Sequence, residues 1–324
     1  MAAVGGEPTG ACHIVAVPYP GRGHVNPMMN LCSTLALRNS RMLVTFVVTE
    51  EWLGLIGSEA RPANFRFATL PNVLPSELDR AADVAGFVEA VHTKMEEPFE
   101  LLLDRLEPPP RVIVADTFLC WAGDVGNRSN IPVASLWTMP AAVFSILYHF
   151  ELLVENGDYP VEDLKREKRV DYIPGVSPIR LADLPSILLI KDRRLLRRAL
   201  LINPAVAKSQ SLLLNSISEL EAPVITALRS ILPVPIYSVG PLIPRSALQD
   251  HPSRPIARDG SDYLRWLDSQ PHGSVLYVSL GSFLSVSRTQ IDEISTDCGT
   301  AACHTSGRCV GKHRGLEKIL GKGW

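Results

Sequence analysis

Five short runs rich in β-branched and aromatic residues recur in the first half of the chain, each followed by a stretch long enough for a helix. They are HIVAVP (13–18), LVTFVV (43–48), FRFATL (65–70), RVIVA (111–115) and PVASLW (132–137). Between them lie helix-like segments at Pro27–Arg38 and Glu50–Gly57 and one long amphipathic segment from Ala81 to Leu106, closed by EPPP. A strand with few polar residues must be covered on both faces. Helix-length connections let successive strands run parallel beneath such a cover. The chain is therefore expected to be α/β, built on a parallel sheet.

The pattern loosens between about Asn156 and Asn203, then resumes with SLLLNS (211–216) and PIYSVG (235–240). GPLIPRSALQDHPSRPIARDG (240–260) holds four prolines and no periodicity, as a linker between domains does. A second unit then opens with a helix-like SDYLRWLDS (261–269) and a strand-like SVLYVSL (274–280). The expected division is a first domain over 12–239, a linker over 240–260, the start of a second domain over 261–294, and a tail over 295–324 that belongs to neither.

Composition excludes several classes. The 324 residues carry a net charge of −2, with no basic patch interleaved with aromatics, so nucleic acid is not an expected partner. The N-terminus lacks a basic stretch followed by an apolar one and does not read as a secretory signal. Ile131–Phe150 runs twenty residues without Asp, Glu, Lys or Arg. Pro132 and Pro140 divide it, so a buried strand, a loop and a core helix are expected there, and not a membrane span. Cys12, Cys32 and Cys120 are too scattered for a disulfide framework, which favours a reducing, cytoplasmic setting.

The residues able to do chemistry sit where the strands end. In PYPGRGHVNP (18–27), Gly21 and Gly23 flank Arg22 and allow a tight turn and close approach to a ligand. His24 then follows the first strand at the carboxyl edge of the sheet, where open α/β folds bind ligands. An imidazole there suits a general base acting on a hydroxyl, and equally suits a structural histidine at a helix start. Asp116 ends VIVAD at the same edge, and it reads either as a helix cap or as a carboxylate that orients His24. No G-x-S-x-G elbow supplies a hydrolase nucleophile, and no G-x-G-x-x-G follows the first strand. VSLGS (278–282) places Gly281 and Ser282 just past a strand, where backbone amides and a hydroxyl can hold phosphate.

VPYPGRGHVNPMMNL, VADTF, LWTMPA, YSVGPL and WLDSQPHGSVLYVSLGS, in that order and spacing, resemble the plant family-1 UDP-glycosyltransferases over residues 12 to 294. The resemblance implies a GT-B fold of two Rossmann-like domains, of which this chain would hold the first and only the start of the second. It implies that His24 deprotonates an acceptor hydroxyl, that Asp116 holds His24, that Thr138 contacts the sugar donor, and that Gly281 and Ser282 contact the diphosphate. The partners would be a UDP-sugar co-substrate, with UDP-glucose the expected donor, and a small lipophilic acceptor, with no metal or other cofactor. The family's signature box, which opens W-C-x-Q and grips the nucleotide, is absent. The expected outcome is a chain inactive or nearly so, with a catalytically dead acceptor-binding protein or a misfolded remnant as the alternatives.

The tail STDCGTAACHTSGRCVGKHRG (295–315) invites a zinc reading through Cys298, Cys303, His304, Cys309 and His313. Their spacing lacks the paired arms of structural zinc sites, and no metal is expected. A displaced reading frame accounts for the tail better. With one G inserted after the Thr296 codon, a codon choice open to TDCGTAACHTSG (296–307) reads T-G-L-R-D-S-G-V-P-Y-L-W. The family's helix end and following strand have that character. Sequencing genomic DNA and transcript from codon 290 onward is expected to find one further base after codon 296 and a frame continuing into the W-C-x-Q box. A frame that does not continue rejects the idea.

Overall fold

The computed structural model describes residues 12–56, 61–77, 80, 83–190, 192–244 and 261–278, with 289, 292–294, 296 and 308–311. The chain divides into two compact units, Met1–Arg245 and Ser246–Trp324. The boundary falls inside the proline-rich segment, and the first residues of that segment, Gly240–Leu242, lie against the first unit.

In chain order the first unit opens with β1 (Cys12–Val17), α1 (Arg22–Arg38), β2 (Met42–Thr49), α2 (Glu50–Ile56) and β3 (Phe65–Leu70). Then come α3 (Val84–Lys94), α4 (Glu96–Leu103), β4 (Val112–Asp116), α5 (Ala122–Arg128) and β5 (Val133–Trp137). The loosened region holds α6 (Ala141–Tyr148), α7 (Phe150–Glu155), a two-residue hairpin of β6 (Arg169–Val170) with β7 (Ile179–Arg180), and the short helices α8 (Ser186–Leu189), α9 (Arg193–Leu200) and α10 (Ile202–Ala207). β8 (Ser211–Leu214), α11 (Ser218–Ile231) and β9 (Ile236–Ser238) complete it. In the second unit α12 (Ser261–Asp268) precedes β10 (Val275–Val278). β10 pairs in parallel with β11 (Arg308–Gly311), which lies within the 295–324 tail.

Seven strands form one sheet in the order β3-β2-β1-β4-β5-β8-β9, every neighbouring pair parallel. The chain winds outward from β1 to β3, then returns to place β4 on the other side of β1, so the helices cover both faces. The two faces of β1 show this directly. Ile14 and Ala16 pack with α1 and Phe46, whereas Val15 and Val17 pack with Phe87, Phe99 and Trp121. A third cluster, centred on Trp137, Phe144 and Leu147, ties α6, α8, α10 and α11 to the far half of the sheet. Ile131–Phe150 is the expected strand, loop and core helix (β5 and α6). Among the described residues no helix is long and apolar enough to cross a membrane.

One expectation needs correction, and one segment resolves further. α1 begins at Arg22 and not at Pro27, because the Gly21 carbonyl accepts the N–H groups of His24 and Val25 and starts the helix inside the glycine-containing segment. The long amphipathic segment expected over Ala81–Leu106 holds two helices, α3 and α4. The break falls at Met95, and Pro98 sits in the first turn of α4, where a missing N–H costs nothing.

The buried His13 and the half-buried His92 give the fold a pH dependence. Burial, helped by the nearby Arg198 guanidinium and opposed by Glu89, pushes His92 down to about 4. Burial also lowers His13, whose ring bonds to the Pro108 carbonyl and to Thr45 Oγ1. Unfolded, each takes a proton near its ordinary value of 6.5, while the folded state resists it. Their contribution is therefore present above about pH 6.5 and is lost as pH falls toward the folded values. Urea midpoints of the first unit are expected to fall between about pH 7 and pH 5, and His92→Gln to flatten that slope.

Candidate active site

Parallel pairing brings the carboxyl ends of β1, β4 and β5 side by side. The chain reverses its winding between β1 and β4, so a crevice opens there for topological reasons alone. Three residues expected from the sequence converge at its mouth. His24 stands in the first turn of α1, Asp116 ends β4, and Thr138 follows β5 by one residue.

Asp116 Oδ2 lies 2.8 Å from His24 Nδ1, with the Asp116 side chain 1% exposed and that of His24 22% exposed. The carboxylate beside Nδ1 is satisfied only if that nitrogen carries the proton, which leaves the Nε2 lone pair free. The other carboxylate oxygen, Oδ1, accepts the Phe118 N–H at 3.0 Å. Asp116 thus holds the turn that follows β4 and is the partner of His24 at once, but it caps no helix, since α5 begins only at Ala122. Thr138 Oγ1 lies 3.1 Å from His24 Nδ1 and accepts a share of the same N–H. The neighbouring Thr117 hydroxyl accepts from Ser135 Oγ at 2.9 Å, joining the ends of β4 and β5.

Aromatic rings wall the imidazole. Tyr19 and Phe118 approach it with centroids at 5.1 and 5.7 Å, and Phe118 stacks on Trp137. Burial pushes the Tyr19 phenol far above its usual range, so it stays neutral beside the pair. Behind the 18–21 loop, the nearly buried Arg80 donates to the Pro20 carbonyl at 2.9 Å and pairs with Glu77 at 2.6 Å. Burial raises the Glu77 carboxyl, and Arg80 opposes that rise.

The structure removes one reason for the glycines. Gly21 is extended at φ 178°, and a Cβ there would meet His24 Cδ2 and Arg80 Nη1 at an ordinary 3.5 Å. Gly23 is helical with open space beside it. Neither position needs glycine for the turn. Arg22 is exposed on the outer side of the same turn. Gly281 and Ser282 lie outside the described residues, as do Cys298, Cys303, His304 and His313 of the tail. Among the described residues no cluster of three or more His, Cys, Asp or Glu side chains is arranged to hold a metal ion.

Sequence reading missed the residues that hold the Thr138 loop. α6 has no cap of its own. Glu221, 80 positions on, accepts the N–H groups of Ala141 and Ala142 at 2.9 and 2.8 Å, and the Ser216 hydroxyl also donates to it. Its backbone departs from helical geometry at φ −120°, ψ 23°, which separates Ser218–Leu220 from the rest of α11. An acidic residue in a helix's first turn reads as serving its own helix, so nothing in the sequence marks this role. Glu221→Ala is expected to destabilise the first unit by about 1–2 kcal/mol in urea unfolding, because it strands two N–H groups at a positive helix end. Glu221→Gln should recover part of the loss.

No family model matches the chain. UDP-glycosyltransferase 87A2 of Arabidopsis thaliana is 50% identical over 285 residues, which is 87% of this chain and 61% of the relative. UDP-glycosyltransferase 87A1 of the same plant is 49% identical over 281 residues, 86% of this chain and 62% of the relative. The chain thus spans about three fifths of the length of these relatives. Among solved structures, Medicago truncatula UGT71G1 complexed with UDP-glucose superposes with a TM-score of 0.72 at 22% identity, covering 95% of this chain and 67% of that one. Os79 from O. sativa, complexed with U2F and trichothecene, superposes with a TM-score of 0.74 at 23% identity, covering 95% and 68%. The α/β sheet is the GT-B type of these structures, and the chain belongs to the plant UDP-glycosyltransferase family.

Proposed function

We propose that residues 12–239 are the acceptor half of a UDP-glycosyltransferase that moves a sugar from a UDP-sugar to a hydroxyl of a small lipophilic acceptor. The observation that carries the reading is the His24–Asp116 pair at the crevice, with Nδ1 engaged and Nε2 free. In the proposed step Nε2 takes the acceptor's hydroxyl proton as its oxygen forms a bond to the sugar's anomeric carbon. The bond from that carbon to the UDP phosphate oxygen breaks, and its electron pair leaves with UDP. One displacement from the face opposite UDP inverts the anomeric centre. The imidazolium formed sits against the Asp116 carboxylate in a buried setting, where the attraction is worth more than in water.

Thr138, beside His24 and at the crevice mouth, is assigned to the donor sugar, and Gly281 and Ser282 to its diphosphate. UDP-glucose is the proposed donor. It is bound in the Medicago structure, and a relative from Gardenia jasminoides, 32% identical, is a 7-deoxyloganetin glucosyltransferase. The aromatic rings of Tyr19 and Phe118 beside His24, with the buried Trp137 stacked behind Phe118, support a lipophilic acceptor. The free cysteines Cys12, Cys32 and Cys120 suit a cytoplasmic setting. Residues 295–324 hold none of the W-C-x-Q box with which the family grips the nucleotide, so the chain on its own is proposed to be inactive or nearly so.

Calorimetry of the purified chain with UDP is expected to show no binding, whereas a lipophilic phenol should raise its thermal midpoint. Residues 1–294 joined to the remaining part of UDP-glycosyltransferase 87A2 should transfer glucose. In that hybrid His24→Ala should lower kcat by roughly 10²–10⁴-fold, with Asp116→Asn also impaired. A hybrid that transfers glucose as well without His24 overturns the reading.

A further inference from the structure

The point where the chain leaves the seven-stranded sheet is bonded to the site itself. After β9, Leu242 is gripped at both ends of its peptide groups. Its N–H donates to Asn215 Oδ1 at 3.0 Å, and its carbonyl accepts Asn30 Nδ2 at 3.1 Å. Asn30 lies on α1, the helix that carries His24. The other end of the Asn215 amide donates through Nδ2 to the Thr138 carbonyl at 3.1 Å, 77 positions away. The Asn215 main-chain N–H donates to the Trp137 carbonyl at 2.9 Å. One side chain therefore spans from the exit of the sheet to the residue whose hydroxyl touches His24.

The fit around Gly240 makes this seat specific. A Cβ at position 240 would lie 2.7 Å from the Ser216 nitrogen and 2.9 Å from both the Asn215 carbonyl carbon and Asn215 Oδ1. Backbone atoms cannot yield as side-chain tips do. Only glycine lets the chain come this close to Asn215. Leu242 and Val239 pack against the apolar cluster beneath α1 and fix the same approach from below.

We propose that Asn215 is a positioning residue which makes the chain's exit at Gly240–Leu242 and the Thr138–His24 end of the site one hydrogen-bonded unit. Its amide suits this, since a single planar group presents an acceptor to one partner and a donor to the other. Movement of the chain at Leu242 then reaches Thr138 through two hydrogen bonds, and movement at Thr138 reaches Leu242 the same way. The inference takes its catalytic meaning from the transferase reading above. Its test needs no sugar transfer, so the two can fail separately.

The test is NMR of the chain labelled at threonine methyls and backbone amides. Asn215→Asp keeps an acceptor for the Leu242 N–H but sets an oxygen against the Thr138 carbonyl, and the Thr138 methyl signal should shift. Asn30→Ala removes one bond to the Leu242 carbonyl and leaves both partners of Thr138 in place. The Leu242 amide should then exchange roughly tenfold faster, and the Thr138 methyl should shift with it. Tyr237→Ala, on the exposed side of β9, should move neither signal. A folded Asn30→Ala variant whose Thr138 methyl keeps its wild-type position overturns the proposal, whether or not Asn215→Asp folds. So does an equal shift in Tyr237→Ala.

Discussion

Everything at the site depends on the parallel pairing of β1 with β4. The register sets Ile14 beside Val112 and Val17 beside Ala115, so Asp116 stands at the level where β1 gives way to the 18–21 loop. α1 turns back from that loop with His24 in its first turn. A slip of one residue along β4 would send Asp116 to the other face of the sheet and place a neighbour in its stead. The apolar side chains that alternate above and below these two strands forbid such a slip. Core packing and site geometry are one constraint.

The resulting environment is asymmetric in a way that suits a base. Asp116 is sealed in, with both oxygens used, one by the Phe118 amide and one by His24. His24 is sealed only on its Nδ1 side. A carboxylate so placed has no water to exchange for its partner and cannot rotate away without leaving a charge unpaired, which is costly. The ring is therefore held in one tautomer and one orientation before any substrate arrives. Tyr19 and Phe118 flank the ring with apolar surface, and the buried Trp137 backs Phe118.

Legibility in the sequence followed the range of the interaction. β1 to β5 announced themselves through local runs of β-branched and aromatic residues, and their ends pointed to Asp116, the last residue of β4, and to His24 in the segment that follows β1. Thr138 came from family likeness and from no local pattern. The start of α1 was obscured by Gly21 and Gly23, which have low helix propensity, although the Gly21 carbonyl opens the helix there. The break between α3 and α4 was not read from the sequence, although Pro98 lies just past it in the first turn of α4. Asn215 and Glu221 were out of reach, because their partners lie 77 and 80 positions away and the residues themselves look like ordinary strand-end and helix-start choices. Long-range caps leave no local trace. The two contacts of Asp116 were half legible for the same reason: its turn partner is two residues away and His24 is 92.

The seat of Leu242 also bears on how the chain is made. β1 must wait for β4, and β5 for β8, so the sheet cannot close as its early strands emerge. Leu242 has hydrogen bonds to both α1 and Asn215, so all three partners of that contact are present once it leaves the ribosome. Codon 296 lies more than fifty residues downstream of it. The reading frame beyond that codon is therefore decoded after every strand of the seven-stranded sheet has been made. A change of frame there leaves the residues of that sheet and its crevice untouched and alters only what the chain carries after them.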